Sequence, residues 1–151
     1  MSMQFIDHRR GSAAEYSWVP PFDWSVAYAQ GHWWDAPRIH AKDPWFIQVL
    51  AAGVEVGRVE IDDPGTISTE YQGIPPVRSE RLEIQLIEVA TVARGRGIGT
   101  RIVRELEARF PERRLFAYSQ GADGFWDSLG WKPFYRPSRP PARTLFIQPA
   151  R

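Results

Sequence analysis

The stretch from Ile87 to Phe110, IEVATVARGRGIGTRIVRELEARF, restricts what this chain can fold into more than any other. An apolar run passes through Arg94-Gly95-Arg96-Gly97-Ile98-Gly99 into a segment whose apolar residues share one face. Ile98, Ile102, Val103, Leu106 and Phe110 follow the 3.6-residue period of an amphipathic helix. Strand, glycine-rich turn and helix in that order predict free backbone N–H groups at a helix N-terminus, with glycines that let a ligand approach them. The helix dipole, together with Arg94, Arg96 and Arg101, makes this an anion site, most simply one for phosphate.

The spacing narrows the ligand. GxxxxGK[ST] is absent, which argues against a nucleotide triphosphatase. Gly95, Gly97 and Gly99 are spaced GxGxG, so the dinucleotide fingerprint GxGxxG also fails. Arg94, Gly97 and Gly99 do satisfy R-x-x-G-x-G. Here the chain resembles the GNAT superfamily of N-acetyltransferases, whose loop of this pattern grips the pyrophosphate of acetyl-CoA. A second segment, SQGADGFWDSLGW, resembles the family's N-x-x-A-x-x-F-Y-x-x-x-G-F, with Ala122, Phe125 and Gly130 in place and Trp131 as the last aromatic.

The resemblance covers about residues 45–136. It implies an α/β fold: a mixed, mainly antiparallel sheet of about six to seven strands flanked by helices, in a single domain over residues 1–151. Residues 45–136 would be the core, and residues 1–44 a variable acceptor-side segment. It implies acetyl-CoA as cosubstrate, held by Arg94, Gly95, Arg96, Gly97, Ile98, Gly99 and Thr100. Val89 and Thr91 would pair with the pantetheine arm as a pseudo-strand, and Ser119, Phe125 and Trp126 would line the coenzyme.

The remaining composition excludes more than it identifies. A chain of 151 residues suits one domain with a proper core. No apolar run approaches the length of a membrane span, and Asp7, His8, Arg9 and Arg10 interrupt any signal-like segment. With no cysteine there is no disulfide, thiolate metal site or thiol nucleophile, and a cytosolic protein is expected. No metal is expected either, since His8, His32 and His40 lack ligand spacing and HExxH is absent. Residues 1–90 hold 7 Lys/Arg against 13 Asp/Glu, whereas residues 91–151 hold 12 against 5. A basic half suits a polyanionic coenzyme and an acidic half a cationic acceptor.

Along the chain, Phe5 and Ile6 open a strand that Arg9–Ser12 ends. Pro20 and Pro21 exclude a helix around them. From Asp23 a short helix is expected, with Asp23 as N-cap and Gly31 near its end. Trp33 and Trp34 fall there as acceptor-side aromatics. Two β-rich runs around Ala52-Gly53 predict a hairpin, with a bulge near Gly57. Residues 62–80 form a long Pro/Gly/Ser/Thr-rich connection, read as either a flap on the acceptor side or surface decoration. Leu82–Val89 is the strand entering the phosphate loop, and residues 131–136 and 144–148 are the last two strands.

Acetyl transfer to an amine requires a base. Glu83 falls where several members of the resembled family carry a strand glutamate facing the acceptor; Gln85 shares its parity and would position the amine or a water. Glu88 is the second choice. The backbone N–H of Val89 is the family's expected oxyanion donor. The usual tyrosine acid is replaced by Trp126, leaving Tyr118 and Tyr135 as substitutes. The acceptor would be a small-molecule or peptide amine, with no membrane, nucleic acid disfavoured, and a homodimer as a candidate assembly. The alternative is a catalytically weak acyl-CoA-binding sensor or partner platform.

Overall fold

Ala52 and Gly53 both take positive φ (50° and 78°), the twist of a two-residue hairpin turn, and the computed structural model, which describes residues 2–151, places them between two paired strands. Among the described residues, seven strands are ordered β1-β2-β3-β4-β5-β7-β6. They are β1 (Met3–Arg9), β2 (Trp45–Ala51), β3 (Val54–Asp62), β4 (Arg81–Val89), β5 (Arg114–Tyr118), β6 (Lys132–Phe134) and β7 (Leu145–Ile147). The pairs β1–β2, β2–β3, β5–β7 and β6–β7 are antiparallel and β4–β5 is parallel, so the sheet is mixed. Two α-helices, α1 (Ile98–Arg109) and α2 (Asp123–Ser128), complete an α/β fold.

The chain divides into two compact units, Met1–Ile61 with Leu86–Val103, and Asp62–Gln85 with Arg104–Arg151. In the first, Val49 pairs with Gly57 and Leu50 with Glu55, so Val56 is an extra residue and the bulge expected near Gly57 is present. Gly57 is needed for space. A Cβ there would stand 2.7 Å from Ile102 Cδ1 and 3.3 Å from the Glu88 carbonyl oxygen. The start of α1 therefore packs directly on a strand backbone, burying Ile98, Ile102 and Val103.

The helix expected from Asp23 does not form. Residues 24–29 are turns, followed by a single 3-10 turn at Gly31–Trp33. Asp23 does use its carboxylate locally, accepting from Ser25 N at 3.1 Å and Ser25 Oγ at 2.6 Å. But Asp23 N donates to Glu55 and Asp23 O accepts from Arg58, which fastens the segment to β3. Trp24 and Tyr28 then lie on the Arg58 guanidinium at 4.8 and 4.0 Å, a placement a regular helix is not needed to produce.

In the second unit, residues 62–80 lack regular secondary structure yet belong to a core. Tyr71 packs with Phe116, Phe134, Leu145 and Ile147, while Ile67, Ile74 and Val77 close over them. The Tyr71 hydroxyl donates to Arg143 O at 2.6 Å and Gln72 N to Tyr135 O at 2.9 Å. Surface decoration is the wrong description of this segment. Among the described residues no helix is long and apolar enough to cross a membrane, and no group of three His, Cys, Asp or Glu side chains is placed to hold a metal ion.

Candidate active site

The turn between β4 and α1 is built by local rules. Ala90 N donates to Val56 O, and Thr91–Ala93 makes one 3-10 turn. Arg94 is extended, and Gly95 and Gly97 follow at φ 78° and 71°. A Cβ at either glycine would meet nothing within 4 Å, so glycine is required here by conformation and not by crowding. Among the described residues, the N–H groups of residues 95–100 find no acceptor within the protein, and the first backbone bond of the helix is Arg101 N to Gly97 O at 3.2 Å. No acidic residue occupies the first turn of α1, and Arg94 and Arg96 are exposed beside it. A pyrophosphate fits this donor set: several unpaired N–H groups, a helix N-terminus and two exposed guanidinium groups.

Thr91 departs from expectation. Its N–H donates to Ala27 O at 3.0 Å, so it is not free to pair with a pantetheine arm, and its carbonyl already accepts one long bond, from Arg94 N at 3.4 Å. Trp34 departs too. It is fully buried, in a cluster with Phe22 and Phe46, and its indole N–H donates to Glu88 Oε1 at 2.9 Å; it packs and does not line an acceptor surface. Trp33 stays partly exposed against the same cluster. Glu88 itself is buried, also accepts from Gln30 N at 2.7 Å, and lies 3.6 Å from Arg94. With its oxygens held by these donors, Glu88 ties the 30–34 segment to the β4–loop junction, and its alternative role as a base loses support.

In the second unit, Glu83 is buried on β4, whereas Gln85 on the same strand parity is exposed. The backbone of Gly65 lies directly against Glu83. The Tyr118 hydroxyl donates to Thr66 O at 2.8 Å and accepts from Ser68 N at 3.0 Å. Burial, and secondarily the Glu83 charge, pushes this phenol above its usual range. Its proton is committed, which removes Tyr118 as a ready acid. Ser119 is buried, with Oγ accepting from Ala122 N at 2.9 Å at the entry to α2. Trp126 is buried as well, its ring 4.8 Å from that of Trp131 and 5.0 Å from that of Phe125. It is a core residue and leaves no open wall; Phe125 remains partly exposed.

Two features of the structure carry no signal in the sequence. Gly65 sits in DDPGT, and Glu55 and Arg58 on β3, outside any motif. Gly65 lies against Glu83, 18 residues on, and Glu55 and Arg58, three residues apart, form a buried ion pair that reaches back to Asp23.

Tyr28 supplies a pH test together with Tyr118. Burial first, then the charge and hydrogen bond of Glu55, push the Tyr28 phenol well above its ordinary value of 10.0. Both phenols therefore stay neutral in the folded chain at a pH where the unfolded chain begins to ionise. Their contribution to stability is complete below about pH 10 and is lost as pH rises further. Denaturant titrations at about pH 9 and about pH 11 should show a clear drop in midpoint, smaller in Tyr28→Phe.

A family profile described as "Acetyltransferase (GNAT) family" matches residues 10–131. The chain belongs to the GNAT acetyltransferase family. Solved structures of similar fold include an acetyltransferase from Thermus thermophilus, at 18% identity and TM-score 0.54, covering 71% of this chain and 64% of that one. Another is described as histone acetyltransferase HPA2 and related acetyltransferase from Corynebacterium glutamicum, at 20% identity and TM-score 0.51, covering 72% and 66%. A third is the PaiA N-acetyltransferase of Thermoplasma acidophilum in complex with coenzyme A, at 15% identity and TM-score 0.47, covering 70% and 60%. At these identities the first two show a likeness of fold alone, and the chain spans less than two thirds of the length of each of the three. No curated protein matches the chain.

Proposed function

We propose that residues 1–151 act as one acetyltransferase domain that moves the acetyl group of acetyl-CoA directly to an amine of a small molecule or peptide, in the cytosol. The observation that carries this reading is the run of unpaired N–H groups at residues 95–100, set by two positive-φ glycines ahead of a twelve-residue helix. In this reading those N–H groups and the Arg94 and Arg96 side chains hold the pyrophosphate, and the coenzyme supplies an acetyl thioester. The N–H of Val89, at the end of β4, donates to the carbonyl oxygen under attack.

The harder task is the nucleophile. An alkyl ammonium with a pKa of ~10.4 needs about 4.6 kcal/mol to lose its proton at pH 7. Glu83 is the residue proposed to take that proton, directly or through a water, and Gln85 to orient the amine. The amine nitrogen then bonds to the acetyl carbon, the carbon–sulfur bond breaks, and the departing sulfur takes its proton from water, since the Tyr118 hydroxyl is committed elsewhere.

The tryptophan at position 126, where the family carries a tyrosine, keeps a second reading, a catalytically weak coenzyme-binding module. Thiol release from acetyl-CoA across a panel of amines separates the two. For the enzyme, at least one amine class accelerates release, and Glu83→Gln lowers kcat by about a hundredfold with little change in coenzyme affinity. Tight coenzyme binding with no release on any amine would decide for the module.

A further inference from the structure

Gly65 has a contact that its place in a loop does not suggest. A Cβ built on it would stand 2.5 Å from Glu83 Cβ, 2.7 Å from Glu83 Oε1 and 2.9 Å from Phe116 Cζ. No side chain fits there without displacing the carboxylate or the strap itself. The residue also has φ 77°, so two independent reasons select glycine.

The segment around it is fastened on both sides. Arg113 holds the Asp63 carboxylate, Arg81 Nε donates to Gly65 O at 3.0 Å, and the Tyr118 hydroxyl engages Thr66 O and Ser68 N. Arg113 is itself anchored by bonds to Glu80 O and Arg81 O at the head of β4. A strap of main chain is thus tied down over one carboxylate, at the single position where it carries no side chain. Glu83 is left 8% exposed.

We infer that Gly65 is a positioning residue for Glu83: its bare backbone sets the rotamer of the carboxylate, and the strap from Asp63 to Ser68 keeps bulk water from it. The inference rests on the proposed role of Glu83 as base. A base confined to one geometry loses no time in unproductive rotamers, and displacements of about 1 Å can cost up to a hundredfold in rate.

Gly73 provides a matched control. It lies in the same connection, has φ 73°, and a Cβ on it would meet nothing within 4 Å. Gly65→Ala and Gly73→Ala therefore share the backbone strain and differ in the contact with Glu83. Gly65→Ala should lower kcat about ten- to a hundredfold with KM for acetyl-CoA unchanged, while Gly73→Ala keeps kcat within about twofold. In a Glu83→Gln background, Gly65→Ala should add no further loss, because the group it acts through is already disabled.

Equal kcat in the two alanine variants overturns the inference, as does an undiminished effect of Gly65→Ala in the Glu83→Gln background, which would point to Phe116 instead. If Glu83→Gln leaves the rate untouched while other variants behave normally, the base assignment fails, a different result from either of these. Should Gly65→Ala not fold, Arg81→Met removes the donor to Gly65 O without adding an atom over Glu83. It should lower kcat with unchanged coenzyme KM, and an unchanged kcat overturns the inference.

Discussion

Coenzyme A raises the melting temperature of the wild-type chain and leaves that of Gly97→Glu unmoved; this is the expected result with the largest effect on binding. At a concentration a hundred times Kd, a ligand that binds only the folded state adds about 2.7 kcal/mol, which for a chain of this size is roughly 5–10 °C. Gly97 sits at φ 71° with open space where a Cβ would go. Glutamate there costs about 1–2 kcal/mol of backbone strain, a loss that folding can absorb. Its carboxylate, however, enters the fan of N–H groups at residues 95–100, satisfies some of them and repels a pyrophosphate. Gly97→Ala carries the same strain without the charge and should keep part of the shift. A Gly97→Glu protein that is still stabilised by coenzyme A would show that these amides are not what holds it.

The loop could be read from sequence because every cause of it is local. Glycines at 95 and 97 reverse φ, and the spacing of Ile98, Ile102, Val103 and Leu106 defines the buried helix face without help from distant residues. The Ala52-Gly53 hairpin was legible for the same reason. What was not legible depends on partners far along the chain. Asp23 is a good helix N-cap by type, but its N–H and carbonyl are taken by Glu55 and Arg58, 32 and 35 residues away, and the chain turns there instead. Trp126 stands where the family carries a tyrosine, and only its burial against Trp131 reveals it as core. The same holds for Gly65. Nothing near DDPGT indicates that a carboxylate 18 residues later lies beneath it.

The largest effect on stability is expected at Arg58. Its side chain and that of Glu55 are 2% and 0% exposed, and they meet at 2.8 Å. Glu55 also accepts from Asp23 N, the Tyr28 hydroxyl and Gln48 Nε2, and Arg58 donates a second bond to Asp23 O at 2.8 Å. The rings of Phe22, Trp24 and Tyr28 surround the guanidinium at 4.7, 4.8 and 4.0 Å. This one ion pair therefore fixes the turn segment that failed to become a helix. Arg58→Met leaves a buried carboxylate with only neutral donors, which costs about 3–5 kcal/mol, or roughly 10 °C in melting temperature. Adding Glu55→Gln removes the stranded charge, and the double variant should recover about half of the loss, because a buried pair replaced together is far less damaging than a pair broken. Denaturant unfolding followed by tryptophan emission measures all three. If Arg58→Met unfolds within about 1 kcal/mol of wild type, the aromatic rings alone hold the segment and the charge pair is incidental to it.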